Sequence, residues 1–282
     1  MATVSVDPTG LDTGIYSGSI LFSPTDSTLS PDSVPVTLIV GCAQGGCTVQ
    51  PNILSVVNGA SMHPTGSPGA IMTIFGTNLS DAVYNPTSFT LPTMLGPTSV
   101  TVNGVAAPLF FVSPKQIDFQ MPSGVPATGV TVTVSNSAST GQFAVSRSPS
   151  YPATLTPVAP GLFTTPDGRA DALNVDFSPN TPSTPAPAGS SIILYITGQG
   201  PVTPAVPDGA QAPNAPLSTI DATVQVTIGG QQAQVTYQGL APGFVGMGQI
   251  NAIIPSGLTP GNQPVFVTIN GLPSNAGVIS VD

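Results

Sequence analysis

The stretch Thr98–Pro122 reads TSVTVNGVAAPLFFVSPKQIDFQMP. Val100 and Val102 alternate with Thr101 and Asn103, the period of a half-buried strand. Asn103-Gly104 signals a two-residue hairpin, because both central positions of a type I′ turn need positive φ. Leu109–Val112 is a short apolar run that Pro114 punctuates. Ile117, Phe119 and Met121 then alternate with Gln116, Asp118 and Gln120, which predicts a strand with one dry and one wet face. Val130, Val132 and Val134 repeat the alternation.

The same grammar returns downstream. Val224, Val226 and Ile228 alternate, Gly229-Gly230 turns the chain, and Ala233, Val235 and Tyr237 lead back. Gln249–Gly257 (QINAIIPSG) matches Gln116–Gly124 (QIDFQMPSG) position by position, and Val265, Val267 and Ile269 close the copy. Upstream, Ile71–Leu79 (IMTIFGTNL) pairs by sequence with Ile192–Gly200 (IILYITGQG). A repeat longer than 100 residues is a domain duplication rather than a solenoid. The expected fold is all-β: two complete immunoglobulin-like sandwiches in tandem.

Composition narrows the function classes. Charged residues are 5% of the 282 and hydrophobic residues 40%, so solubility rests on Ser, Thr, Asn, Gln and backbone. All 12 acidic residues are Asp, which favours turns and caps. With 33 Pro and 31 Gly, short strands between turns are favoured over long helices. Lys115, Arg147 and Arg169 are the whole basic complement, and the net charge is −9. Phosphate neutralisation needs clustered Lys and Arg, so nucleic acid and anionic membrane surfaces are not expected partners. No apolar run approaches the roughly 20 residues that span a bilayer, and Met1 leads straight into strand-like residues with no visible signal peptide.

The expected domains are 1–47, a partial β module with a cysteine loop; 48–148, the first sandwich; and 149–282, the second. Residues 1–41 carry about three strands, too few for a sandwich of the usual seven. Cys42 and Cys47 in GCAQGGC are expected as a small disulfide loop, since zinc needs about four ligands and His63 is distant. Three proline-rich stretches, Ser146–Pro160, Asp176–Gly189 and Pro201–Pro216, read as a stiff connector and two long loops or edge segments.

Several motifs resemble known families. GLDTGIYSGSILFSP with SVPVTLIV is similar to the closing half of a BACON-type immunoglobulin-like module. That resemblance implies either an upstream part before Met1 or a partner that completes the module. VVNGASMHPTGSPGAIMTIFGTNLS, LPTMLGPTSVTVNGVAAPLFFVSPKQIDFQMP, APGLFTTPDGRADALNVD, GSSIILYITGQGPVTPAVPDGA and LAPGFVGMGQINAIIP, in that order, resemble the C-terminal domain abundant in Solibacter and other Acidobacteria. FGTNL also resembles IPT/TIG immunoglobulin-like domains. These resemblances imply the fold and a place at the end of large secreted proteins, and they supply no activity to inherit.

No catalytic constellation is legible. His63 lies in a loop, SMHPTGSPG, with no G-x-S-x-G elbow anywhere. Asp118 on a wet strand face and Asp81 in a loop do not make a carboxylate pair across a cleft. Asp167, Asp171, Asn174 and Asp176 form the densest oxygen cluster and the one weak Ca²⁺ candidate. Their spacing does not fit an EF-hand, Arg169 opposes a cation, and an Asp-capped turn is the simpler reading. No other cofactor is expected. Exposed aromatics would mark a ligand face; Phe244, Tyr84 and Tyr151 are the foremost contact candidates, with Phe89 and Phe266 behind them.

The expectation is a non-catalytic extracellular or cell-surface β-sandwich module used for adhesion, display or assembly, meeting a protein or polysaccharide surface. The alternatives are a carbohydrate-binding module and a fibre subunit that self-associates by strand donation through residues 1–41.

Overall fold

Alternating apolar residues set which side of each strand is dry, and the computed structural model follows that pattern. It describes residues 6–7, 9–10, 14–22, 32–40, 50–137 and 146–282. Cys42 and Cys47, and with them the expected disulfide, lie outside the described residues. No helix occurs among the described residues, and the protein is all-β. The chain divides into two units, one holding Met1–Gln50 with Ser137–Ser146, the other Pro51–Asn136 with Arg147–Asp282.

In the first unit, β1 (Gly14–Phe22) and β2 (Asp32–Val40) pair antiparallel, from Gly14 opposite Val40 to Phe22 opposite Asp32. Both strands fall where the sequence alternation places them.

The second unit holds both sandwiches. In the first of these, one sheet runs β3 (Asn52–Asn58), β4 (Ile71–Thr77), then the strands Gln116–Gln120 and Leu109–Val112. The facing sheet is built on β5 (Thr98–Val102). Taking the rest in chain order, β6 is Leu109–Val112, β7 is Gln116–Gln120, β8 is Val130–Asn136 and β9 is Tyr151–Leu155. β8 lies between β5 and β9. Val100, Val102, Val130, Val132 and Val134 face Ile74, Leu109, Ile117 and Phe119 in one core, all 2% exposed or less.

The second sandwich repeats this order. β10 (Gly161–Leu162) and β11 (Ala172–Asn174) pair successive parts of one edge of β12 (Ser191–Thr197), the counterpart of β4. β13 (Val224–Ile228), β14 (Gln231–Leu240), β15 (Gly248–Ile253), β16 (Gly261–Ile269) and β17 (Gly277–Val281) follow. β15 pairs β12 as β7 pairs β4, and β16 lies between β13 and β17 as β8 lies between β5 and β9. Ile192, Leu194, Ile196, Ile250, Ala252, Val265, Val267 and Ile269 are fully buried in its core.

Register corrects one sequence pairing. Ile117 lies opposite Ile74, and its counterpart Ile250 lies opposite Leu194. The equivalent of Ile71 is therefore Ser191, one residue before the Ile192 that letter matching selects. A one-residue slip would turn every side chain to the other face, and the observed match puts Asn78 (φ 56°) on Gly198 (φ 79°), both left-handed.

The turns follow the reading. Asn103-Gly104 has φ of 48° and 81°, and Gly229-Gly230 has 56° and 79°, as type I′ hairpins require. β14 runs unbroken from one sheet to the other: Ala233 pairs Val226 of β13, and from Gln234 the strand pairs β15, with a bulge between Val235 and Tyr237. In the first copy that path is split into Val105–Ala106 and β6, and Pro108, which has no N–H to give, sits at the break. The stretch Ser146–Pro160, expected as a connector, instead carries β9, which continues the first sandwich beside Val130–Val132. Its prolines are tolerated because β9 is a strand near the sheet edge.

Phe119 is the largest fully buried side chain of the first core. Phe119→Ala should cost about 3–5 kcal/mol of stability, read as a lower midpoint in guanidinium unfolding with the slope unchanged.

Candidate functional site

The two sandwiches meet along a seam made of short, mostly uncharged hydrogen bonds. Ile71 N–H, at the start of β4, donates to Thr197 Oγ1 at the end of β12, at 2.8 Å. Thr197 is fully buried, and its hydroxyl lies 3.3 Å from Gly246 O. The buried Asn58 side chain accepts from the Ala60 and Ser61 amides and donates Nδ2 to Ala159 O at 2.9 Å. Ala159 N–H in turn donates to Gly198 O. Gly198 has to be glycine, since a Cβ there would lie 1.9 Å from Ala159 O and φ is 79°.

The loop Pro201–Pro216 is the third part of the seam. Gly209 N–H donates to Gln120 Oε1 at 2.7 Å, Leu91 N–H to Gly209 O at 2.9 Å, and Ser123 N–H to both Asp208 oxygens at 3.1 and 3.0 Å. On its other side, Ala212 N–H donates to Phe244 O and Gly243 N–H to Ala212 O. A long loop whose backbone is bonded on both sides is a strut. Gln120, placed on the wet face by alternation, is buried by it. The cover comes in part from Gly209 of the second sandwich, and no local signal marks that.

Between these bonds lies a cleft of about 280 Å³. Pro68, Val202, Val206 and Leu240 give it apolar walls, and Gln120, Gln199 and Asp208 give it polar ones. Gln199 is 3% exposed, and its Oε1 has no hydrogen-bond partner among the described residues.

A second surface is the outer face of β12 and β15. Tyr195 stands opposite Gln249, and Gln249 Nε2 donates to Asn251 Oδ1 at 2.9 Å. Phe244, about half exposed, sits with its ring centroid 6.5 Å from that of Tyr195, tilted by 47°. Tyr237, opposite Asn251, sends its hydroxyl to Leu240 O and lies over Gly239. The first sandwich carries the same outward pattern with a charge in it: Phe75 opposite Gln116, whose amide donates to Asp118, with Thr73 Oγ1 donating to the same carboxylate. Burial, and then the negative charge of Asp171, push the Tyr195 phenol up, and burial pushes Tyr237 up.

The other sequence candidates are dispersed. Tyr84 packs against the first core and donates its hydroxyl to Asp81 at 3.0 Å, the bond that chiefly raises its phenol. Tyr151, the first residue of β9, packs against the same core. Phe89 is 83% exposed. Phe177, which the sequence reading passed over, is 72% exposed at φ 64°, on a turn closed by Asp176. Of the Ca²⁺ candidates, Asp167 accepts from Thr165 Oγ1 at 2.6 Å and Asp176 from Ser178 N and Oγ, hydrogen bonds that hold both carboxyls below the usual range. Asn174 is buried and bonded to Ser178, Asn180 and Thr184. No group of three His, Cys, Asp or Glu gathers among the described residues. Arg169 donates to Ser280 Oγ and Asn262 Oδ1. His63 lines a separate groove of about 370 Å³ with Ser61, Thr156, Ser274 and Asn275, and no carboxylate lines it.

Residues 56–151 match the IPT/TIG domain family, so the first sandwich is immunoglobulin-like by sequence as well as by strand order. Among curated proteins none matches the chain. Among solved structures, a Bacteroides ovatus mixed-linkage glucan utilization locus protein, SGBP-B, in complex with a mixed-linkage heptasaccharide, is similar at 12% identity and a TM-score of 0.35. The match covers 96% of this chain and 54% of that one, so the chain spans about half its length. A chimeric titin Z1Z2-Z1Z2 tandem functionalised with a GRGDS peptide is similar at 11% identity and a TM-score of 0.22, over 82% of this chain and 97% of that one.

Two outcomes follow. Gly198→Ala should lower stability by more than about 2 kcal/mol and speed hydrogen exchange at the Ala159 amide. Gly168→Ala, with φ 82° but nothing within 4 Å of the new Cβ, should cost only about 1 kcal/mol. Tyr195 should ionise above the ordinary tyrosine value of 10. The neutral phenol is favoured by folding, so its contribution to stability is whole below pH 10 and is lost as pH rises through the folded value. Alkaline difference spectra of the protein and of Tyr195→Phe would read this directly.

Proposed function

We propose that the chain is a non-catalytic module of a secreted or cell-surface protein, used for adhesion, display or assembly. The observation that carries this reading is the bonded seam. Hydrogen bonds from three separate segments, buried at Gly209–Gln120 and partly buried at Ile71–Thr197 and Asn58–Ala159, join two related sandwiches, a construction that holds a surface at fixed spacing and orientation. The polar groups found together at the seam bond to backbone, which serves structure rather than proton transfer. The expected outcome is no turnover on a broad panel of ester, glycoside and peptide substrates. Metal-independent turnover abolished by His63→Ala or by a single Asp substitution would end this reading.

One observation favours a second, finer reading, a carbohydrate-binding module. Tyr195, Phe244 and Tyr237 lie beside the uncharged Gln249–Asn251 pair on one open face, and aromatic rings next to amides suit the C–H faces and hydroxyls of a neutral polysaccharide. Retention on cellulose, chitin, xylan or peptidoglycan should fall about tenfold in Phe244→Ala, equal to about 1.4 kcal/mol. No retention on any of the four removes this second reading.

A further inference from the structure

We propose that the outer face of β4, β6 and β7 binds a polysaccharide that carries free amino groups, such as a glucosamine polymer. The proposal rests on the carbohydrate-binding reading and adds a second face to it, with a different sugar chemistry.

The two faces share one construction. Matching Ile117 to Ile250 sets Gln116 on Gln249 and Asp118 on Asn251. Phe75 stands opposite Gln116 as Tyr195 stands opposite Gln249. Phe111 stands opposite Asp118 as Tyr237 stands opposite Asn251. A bulge falls at the same place in both copies, with Phe110 in one and Thr236 in the other as the extra residue. Leu109 and Val112 are fully buried, while Phe75 and Phe111 lie outside the core and are partly exposed. Two aromatic rings around a central side chain therefore occur twice. In the first copy both rings lack the hydroxyl, and the central amide is replaced by a carboxylate.

Asp118 selects the partner. Its carboxylate accepts from Thr73 Oγ1 at 2.7 Å and from Gln116 Nε2 at 3.0 Å, neutral donors that orient it without neutralising it. It makes no ion pair among the described residues, Lys115 included. Oδ2 takes only one of these bonds, which leaves it a lone pair for a further donor. An ammonium group placed there meets the carboxylate and the negative face of a phenyl ring together. A neutral sugar can bond Asp118 through a hydroxyl but gains nothing from its charge. An acidic polymer is repelled by Asp118 and by the net charge of −9.

The spacing favours a chain of sugar rings over a basic protein segment. Phe75 and Phe111 lie on strands either side of β7, two strand spacings or about 10 Å apart across the sheet. A run of sugars covers both rings with its C–H faces and sets an amine between them. A lone lysine side chain would reach the carboxylate and leave one ring uncovered.

The test is calorimetry on the full chain at mildly acidic pH, where sugar amines are protonated, with short oligomers of glucosamine, N-acetylglucosamine and glucose, and with polylysine. The glucosamine oligomer should bind, and Asp118→Asn should weaken it at least about tenfold. Asparagine keeps an oxygen for the Gln116 amide, as Asn251 does for Gln249, so the face keeps its shape. Asp221→Asn removes the same charge from an exposed site on the second sandwich and should leave binding unchanged. Asn251→Asp should tighten the glucosamine oligomer on the duplicate face. Neutral oligomers that fail to bind, while glucosamine binding still depends on Asp118, would remove the reading of the β12–β15 face and support this one. Glucosamine binding that is absent, that survives Asp118→Asn, or that falls equally with Asp221→Asn would overturn the proposal. So would polylysine binding as tight and as dependent on Asp118.

Discussion

The bond from Ile71 N–H to Thr197 Oγ1 is the constraint on which the second unit's arrangement depends. It joins the start of one strand to the end of its own duplicate, inside protein, where an unpaired amide would be costly. The Asn58–Ala159–Gly198 bonds and the Gln120–Gly209 bond add to it from other segments. Asp208 is the one ionised group that the seam bonds use, and it bonds a backbone amide rather than a cation. A join of this kind is barely screened by salt, since screening acts on exposed charges. A chain with 5% charged residues has few ion pairs available for holding two bodies together, and it uses backbone and amide groups instead.

Most of the architecture was legible because it is local. Ile117, Phe119, Val130, Val132, Val265 and Val267 are buried where alternation puts them, and the Asn103-Gly104 and Gly229-Gly230 turns have the φ values their residues favour. Letter matching between the copies misplaced β4 against β12 by one residue, since both strands are runs of apolar residues and runs carry no parity. The left-handed pair Asn78 and Gly198 carries it, and its meaning is visible only with φ in hand.

The candidate sites were much less legible, because they are made by docking. Gln120 falls on the wet side of its strand by alternation, and it is buried against a segment more than 40 residues away. Phe244 was visible as an aromatic flanked by loop glycines. Tyr195 was not, since in the run IILYIT it reads as one more core residue; only the alternation of Leu194 and Ile196 inward turns it outward. Phe177 escaped notice because its exposure depends on a turn closed by side-chain bonds.

The duplicated strands also differ in what they touch. The patch that the first sandwich offers at Ile71, Gly69 and Gln120 meets a different patch on its relative, at Thr197, Gly209 and Gly246. Two related bodies joined in this way have polarity. Their contact is heterologous, not self-complementary, and so it sets a direction along the pair instead of closing on a two-fold axis. The outward patterns that the duplication copied, Phe75–Gln116–Asp118 and Tyr195–Gln249–Asn251, are therefore not symmetry mates. Each has its own neighbours, so either can change its chemistry without altering the other, and the exchange of Asp118 for Asn251 is such a change.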